Sequence, residues 1–288
     1  MIKKCNIEQL TKCVEIAYEK NSIPENNSAY CHRSKESIQN EFEFLLSSDE
    51  SLIVGYFEDG ILKGILGCFY NPDNNWVDCL GPFFEEKWIK NVAKDMFLCA
   101  KESLLKAIRF NFFFDARNMN CHNMMMDLGA QRSDNEYILL LDKKDYKPQD
   151  IKANVIKYSE VHKNNLTQLY DEVFPGMYLT SDDIFSTLSK TREVFCVLDD
   201  HDIFAGFGVL KYGDGVACTA ELFVVKENQR GKGYGWALLN AVVDSAFNNH
   251  NAEIVNLIVE RFNIHARDLY YSCGFKLAVE NEAFYISV

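Results

Sequence analysis

The sequence predicts an α/β fold, a mixed β-sheet flanked by helices, built twice in one chain. Three observations predict it. The chain has 288 residues, and at about 100–200 residues per domain two domains are expected. Its two halves repeat one another. Each half interleaves short apolar runs of strand length with longer stretches of helical period, the pattern of a sheet crossed by helices.

The repeat is read directly. Ile61-Leu62-Lys63-Gly64-Ile65-Leu66-Gly67 matches Ile203-Phe204-Ala205-Gly206-Phe207-Gly208-Val209. Each follows an apolar strand and an acidic turn: Leu52–Phe57 before Glu58-Asp59-Gly60, and Val194–Leu198 before Asp199-Asp200. Strand, tight turn and strand make a hairpin. Further on, Asn118 through Gly129-Ala130 matches Asn263 through Gly274-Phe275 at equal spacing. Each of these follows a very apolar strand, Arg109–Phe114 or Ile254–Val259, and runs through a short helix that stops at glycine, a C-terminal helix signal. A repeat of this size is a duplicated domain, since solenoid periods are shorter.

Each half therefore reads as strand, one or two helices, three strands, long helix, strand, helix, strand. The long helix is expected over Lys87–Lys106, with Ile89, Val92, Ala93, Met96, Phe97 and Ala100 on one face. In the second half it is expected over Gly233–Phe247, where Ala237, Leu238, Ala241, Val242, Ser245 and Ala246 share a face. The polar, proline-containing segment Asp142–Asp150 reads as the linker. The expected domains are residues 1–145 and 152–288.

Composition excludes several functions. Hydrophobic residues are 48% and charged residues 25%, as in globular domains. No apolar run approaches the ~18–20 residues that span a bilayer, so no membrane association is expected. No apolar stretch follows Lys3-Lys4, which predicts no export signal and a cytoplasmic protein. The net charge is −12, and no basic face for nucleic acid is visible. Ten cysteines are scattered without a C-x-x-C pair, so they are expected as small core residues and not as metal ligands.

One segment carries chemistry. The strand at Glu221–Val225 runs into Gln229-Arg230-Gly231-Lys232-Gly233-Tyr234-Gly235, and this loop opens a helix. Glycines let backbone N–H groups converge, and a helix N-terminus adds partial positive charge, a combination that suits phosphate or pyrophosphate. A P-loop would need Ser or Thr after Gly231-Lys232, and Gly233 stands there. The glycine spacing is wrong for a dinucleotide fold, and no kinase catalytic-loop motif follows.

The segment resembles the signature of the GNAT superfamily of N-acetyltransferases. Arg230-Gly231-Lys232-Gly233-Tyr234-Gly235 meets that family's Q/R-x-x-G-x-G/A pattern. Val225 and Arg230 meet the preceding V-x-P-x-x-R, with Glu227 in place of the common proline. A second family motif is met by Leu257 and Val259, then Asn263, Ala266, Leu269, Tyr270, Gly274 and Phe275. The resemblance is strongest over Val194–Phe275.

The resemblance implies acetyl-CoA as co-substrate and a primary amine of a small molecule as acceptor. It places the pantetheine arm on the backbone of Phe223 and Val225, with Asn263 bonding it. The pyrophosphate falls on Arg230, Gly231, Lys232, Gly233, Tyr234 and Gly235. Tyr270 is the implied general acid. Glu221 is the candidate base, and His265 is a weaker one. Acceptor residues are expected in early helices and loops such as Phe174-Pro175-Gly176-Met177-Tyr178. The first half lacks this chemistry: Met125 stands at the position of Tyr270, and Glu85-Glu86-Lys87-Trp88-Ile89-Lys90 stands at that of the loop. It is expected to be a degenerate copy without a cofactor site. A protein that binds acyl-CoA without turnover is the competing reading.

Overall fold

The computed structural model describes residues 1–133, 135–175, 179–213 and 215–288. Gly176, Met177 and Tyr178 of the expected acceptor loop lie outside the described residues. The chain forms two compact units. One is Met1–Glu136 with Val279–Val288, and the other is Tyr137–Ala278.

The first unit runs through β1 (Ile2–Lys4), α1 (Leu10–Asn21), α2 (Lys35–Ser47), β2 (Leu52–Glu58), β3 (Ile61–Asn71), β4 (Trp76–Phe84), α3 (Lys90–Ser103), β5 (Arg109–Asp115), α4 (Met119–Asp127) and β6 (Gln131–Arg132). The second runs through β7 (Glu136–Asp142), β8 (Asn154–Lys157), α5 (Lys163–Val173), α6 (Ser181–Ser186), β9 (Arg192–Leu198), β10 (Phe204–Lys211), β11 (Ala217–Val225), α7 (Tyr234–Asn248), β12 (Ile254–Glu260) and α8 (Ile264–Ser272), and leads into β13 (Lys276–Ser287).

Sheet order in the first unit is β1-β2-β3-β4-β5-β13, and in the second β8-β9-β10-β11-β12-β7. The hairpins are antiparallel, and β4 with β5, like β11 with β12, is parallel. Alternation along each strand sends side chains to two helix layers. In the first unit Leu66 and Cys68 join Phe97 of α3, whereas Ile65 joins Ile16 and Phe42 of α1 and α2. In the second unit Leu257 and Val259 join Leu238 and Val242 of α7, whereas Leu222 and Val224 join Leu166 and Leu169 of α5.

The long helices start later than their apolar period suggests. The Glu85 N–H still donates to Lys63 O at 2.8 Å, and the Glu85 carboxylate is ion-paired to Lys12 and Lys63. The chain is thereby held extended past β4, and α3 begins at Lys90. In the second unit Gly233 has φ 82°, a left-handed value no helical residue takes, so it caps α7 instead of starting it. All ten cysteines are free thiols and none is exposed. Among the described residues no helix is long and apolar enough to cross a membrane.

The units do not follow the chain halves. Tyr137, Leu139 and Leu141 of β7 are buried in the second unit's core. Residues Asn281–Ser287 of β13 pair antiparallel with β5, and Phe284 enters the first unit's core. The segment expected as a linker is partly anchored: Lys143 Nζ donates to Phe247 O at 3.0 Å and the Tyr146 hydroxyl to Asp244 at 3.0 Å. Phe284 stacks on Phe114 at a centroid distance of 5.7 Å. Phe284→Ala is expected to lower the stability of the first unit by about 3–5 kcal/mol, the usual cost of emptying a buried aromatic site. Urea denaturation followed by tryptophan fluorescence, reporting through Trp76 and Trp88, measures it.

Candidate functional site

The site is built at the end of β11. A register shift opposite Val209 and Leu210 leaves Glu221 as one extra residue in β11, a bulge that re-aims the strand beyond it. Past the bulge, Lys226 N donates to Ala205 O at 2.9 Å. In an antiparallel ladder the groups of alternate residues face the same partner, so the N–H and C=O groups of Phe223 and Val225 point away from β10. The Val225 carbonyl accepts instead from Arg230 Nε at 3.3 Å. On that outward side, among the described residues, β12 is paired with β11 from Ala217 to Thr219. The edge presented by Phe223 and Val225 is therefore open to an added strand.

The loop follows directly. A turn at Glu227–Gln229 closes with Arg230 N donating to Glu227 O at 3.2 Å. Gly231 and Gly233 adopt φ of 78° and 82°, and a Cβ placed on either meets nothing within 4 Å. The space in those directions is open, so the glycines are there for backbone conformation. Gly233 offers no side-chain cap to α7, so the first amides of that helix, from Tyr234 and Gly235 onward, lack an intrahelical partner. Arg230 and Lys232 are exposed beside them, with Lys232 Nζ donating to Gln229 at 2.7 Å. Tyr234 turns inward and is buried. A Cβ on Gly235 would touch Leu269 at 3.5 Å, so α7 and α8 pack closely here. Uncapped amides, two exposed cations and open space over the glycines fit a pyrophosphate.

Tyr270 of α8 packs between Phe223 and Phe275, at 6.2 Å from each ring. It is 9% exposed, and burial pushes its phenol up to about 12. Its hydroxyl makes no hydrogen bond among the described residues. The hydroxyl is not among the buried atoms that lack a partner, so it reaches solvent from a ring that is otherwise packed. Asn263 caps α8, its Oδ1 accepting from Ala266 N at 3.2 Å. His265 is exposed on the first turn.

Glu221 is held by Arg192. Arg192 takes both its oxygens, Nε on Oε2 at 2.6 Å and Nη2 on Oε1 at 2.9 Å. Arg192 was not foreseen from sequence; its signal was an arginine opening an otherwise apolar strand. A cleft of about 470 Å³ beside the loop is lined by Asn165, Gln168, Glu172, Lys226, Glu227 and Asn228.

The first unit has closed the corresponding place. Pairing of β4 with β5 extends to Cys79 with Phe112. Beyond it the loop between α1 and α2 fills the gap. Ala29 N donates to Phe113 O at 2.7 Å and Ser28 Oγ to Cys79 O at 3.3 Å. Asn118, the counterpart of Asn263, caps α4 and uses its Nδ2 to hold the Asn27 carbonyl at 3.1 Å. Met125 is fully buried where Tyr270 stands in the repeat.

Solved structures share this architecture over the whole chain. A GCN5-related N-acetyltransferase from Sphaerobacter thermophilus is 12% identical, aligned over 100% of this chain and 95% of its own, with a TM-score of 0.76. A tandem GNAT protein from the clavulanic acid biosynthesis pathway is 11% identical over 100% and 98% of the two chains, with a TM-score of 0.71. A glucosamine N-acetyltransferase region of a fungal multi-domain GH3 β-N-acetylglucosaminidase is 12% identical over 99% of this chain and 38% of that one, with a TM-score of 0.70. At such identities the likeness is one of fold, and the fold is that of two GNAT units in tandem. By sequence, residues 163–275 match the model of the acetyltransferase (GNAT) family. No curated protein matches the sequence. The family is one of acyltransferases that generally use acyl-CoA.

Proposed function

We propose that the second unit transfers an acetyl group from acetyl-CoA to a primary amine of a small molecule by direct attack. The observation that carries this reading is the packed ring of Tyr270, whose hydroxyl bonds no described residue, together with the open edge of β11 and the uncapped glycine loop. A protein that only binds acyl-CoA has no use for a proton donor there.

Acetyl-CoA would supply an activated thioester carbonyl. The outward backbone groups of Phe223 and Val225 would pair with the pantetheine amides as an added strand does. The amides from Gly231 to Gly235, with Tyr234 anchoring the helix start and Arg230 and Lys232 adding charge, would hold the pyrophosphate. Asn263 has its amide nitrogen for the pantetheine arm, as Asn118 has for the Asn27 carbonyl. The acceptor amine must be neutral to attack, and a free alkylamine has a pKa near ~10. Its nitrogen bonds the acyl carbon as the carbon–sulfur bond breaks, Tyr270 passes its proton to the departing sulfur, and the proton lost by the amine leaves through water and restores the phenol.

Glu221 takes a different part from the one its position suggests. We assign it to holding Arg192 and the bulge, with water carrying the amine proton. Glu221→Gln is expected to cost about 1.5–3 kcal/mol of stability through lost charge-assisted bonds. It leaves kcat within about tenfold of the native value, below the usual contribution of a general base. A loss of kcat above that, together with a lost limb in the pH profile, would return Glu221 to the role of base. The proposal as a whole is tested by calorimetric titration with acetyl-CoA, where one site per chain is expected.

A further inference from the structure

The first unit lacks the glycine loop, but its helix α2 carries a feature of its own. Ser37, Glu41 and Phe44 recur at helical spacing and so share one flank of α2, while Ile38, Phe42 and Leu45 enter the core. Phe69 reaches the same flank from β3, on the sheet face that carries Ile65. With His32 and Asn40 these side chains line a cavity of about 370 Å³, within the size range of small-molecule sites.

The lining holds a negative charge without its match. Oε2 of Glu41 is shielded from solvent and has no hydrogen-bond partner, and among the described residues no lysine or arginine is ion-paired to this carboxylate. Burial pushes the carboxyl up to about 7, opposed by hydrogen bonding from the His32 main chain. Cys31 beside it is buried, and the Glu41 charge adds to the burial that raises its thiol, so it stays neutral and brings no counter-charge. The rings of Phe44 and Phe69 stand 5.6 Å apart, tilted by 31°. Phe44 is 52% exposed, so its ring is open to a ligand. Aromatic faces are negative and attract an ammonium group within about 6 Å, and a carboxylate beside them supplies the opposite charge. Among the described residues no group of three His, Cys, Asp or Glu side chains could hold a metal ion, which leaves an organic cation as the fitting class.

We propose that this cavity binds a small protonated alkylamine, with its charge opposite Glu41 and its carbons against Phe44 and Phe69. A protonated amine brings N–H donors for a carboxylate, which a quaternary ammonium does not. All the lining residues belong to the first unit, so the site stands whether or not the second unit transfers acetyl groups. The unit without cofactor chemistry is thereby given a ligand of its own.

The test uses the full chain without acetyl-CoA at pH 8, above the value at which Glu41 takes up its charge. Dissociation constants for butylammonium, tetramethylammonium and 1-butanol are measured by ligand-observed NMR at constant ionic strength. Butylammonium is expected to bind most tightly. Glu41→Gln, which keeps the side-chain shape, is expected to weaken it about tenfold or more, the scale of a lost bond to a charged group. Phe44→Ala is expected to weaken it about two- to fivefold, the scale of one exposed cation–π contact. Urea denaturation reports that both variants fold. No binding by the native chain, an unchanged constant in either variant, or 1-butanol or tetramethylammonium binding as tightly as butylammonium overturns the proposal. Each of these outcomes leaves the acetyl-transfer reading untouched.

Discussion

Tyr270→Phe is expected to lower kcat by about 10²–10⁴-fold, the usual range for losing a general acid, while the affinity for acetyl-CoA is unchanged. The substitution keeps the ring between Phe223 and Phe275 and removes only the hydroxyl. That hydroxyl has no protein partner among the described residues, so no other bond is broken and stability holds. The pH profile carries a second signature. Burial lifts the phenol to about 12 because the phenolate would lose its hydration. Tyr270 therefore keeps its proton through the neutral and mildly alkaline range. The native rate rises with pH as the amine, with a pKa near ~10, becomes neutral, and Tyr270 introduces no fall below about 12. Steady-state kinetics across pH with calorimetry on the variant checks both parts. Unchanged turnover in the variant, or a native alkaline fall well below that range, removes the acid role from Tyr270.

Gly233→Glu is expected to weaken acetyl-CoA binding by about 100-fold or more, a loss of about 3 kcal/mol. Two effects add. The residue holds φ at 82°, which costs an L-residue about 1–2 kcal/mol, and relieving that strain moves the amides that follow it. The new carboxylate also stands in the open space the pyrophosphate would enter, where like charges repel. Strain is separated from binding by Gly129→Glu. Gly129 has φ 65° and open space around its Cβ direction, but it ends α4 in the first unit. This second variant is expected to lose similar stability and to bind acetyl-CoA as the native chain does. Equal loss of binding in both, measured by calorimetry, would take the cofactor off the Gly233 loop.

The loop was legible because its signals are local. Gly231 and Gly233 take left-handed φ values, and no other residue type holds them without cost. The duplication was legible for the same reason. Asn118 and Asn263 cap their helices with φ, ψ of −76°, 68° and −77°, 69°, so one short motif wrote one backbone shape twice.

The composition of each unit was not legible. The strand β7 is a run of apolar residues and β13 carries two apolar runs around Glu280-Asn281-Glu282, and such patterns state that a strand is at least half-buried without stating against which core. Only the folded chain assigns Leu139 to one core and Phe284 to the other. The same holds at the site. Glu221 read as a base because a carboxylate stood at the right place in β11, and the β9 residue whose guanidinium takes both its oxygens, Arg192, lies far from it in the chain. The Asn27–Tyr30 segment read as an ordinary polar loop, and only its bonds to Cys79 and Phe113 make it the filling of a groove. The sequence by itself determined what backbone conformation dictates: the glycine loop, the helix caps and the paired halves. The tertiary structure decided which charges are matched, which edges stay open and which unit each last strand completes, because those depend on partners that local sequence does not name.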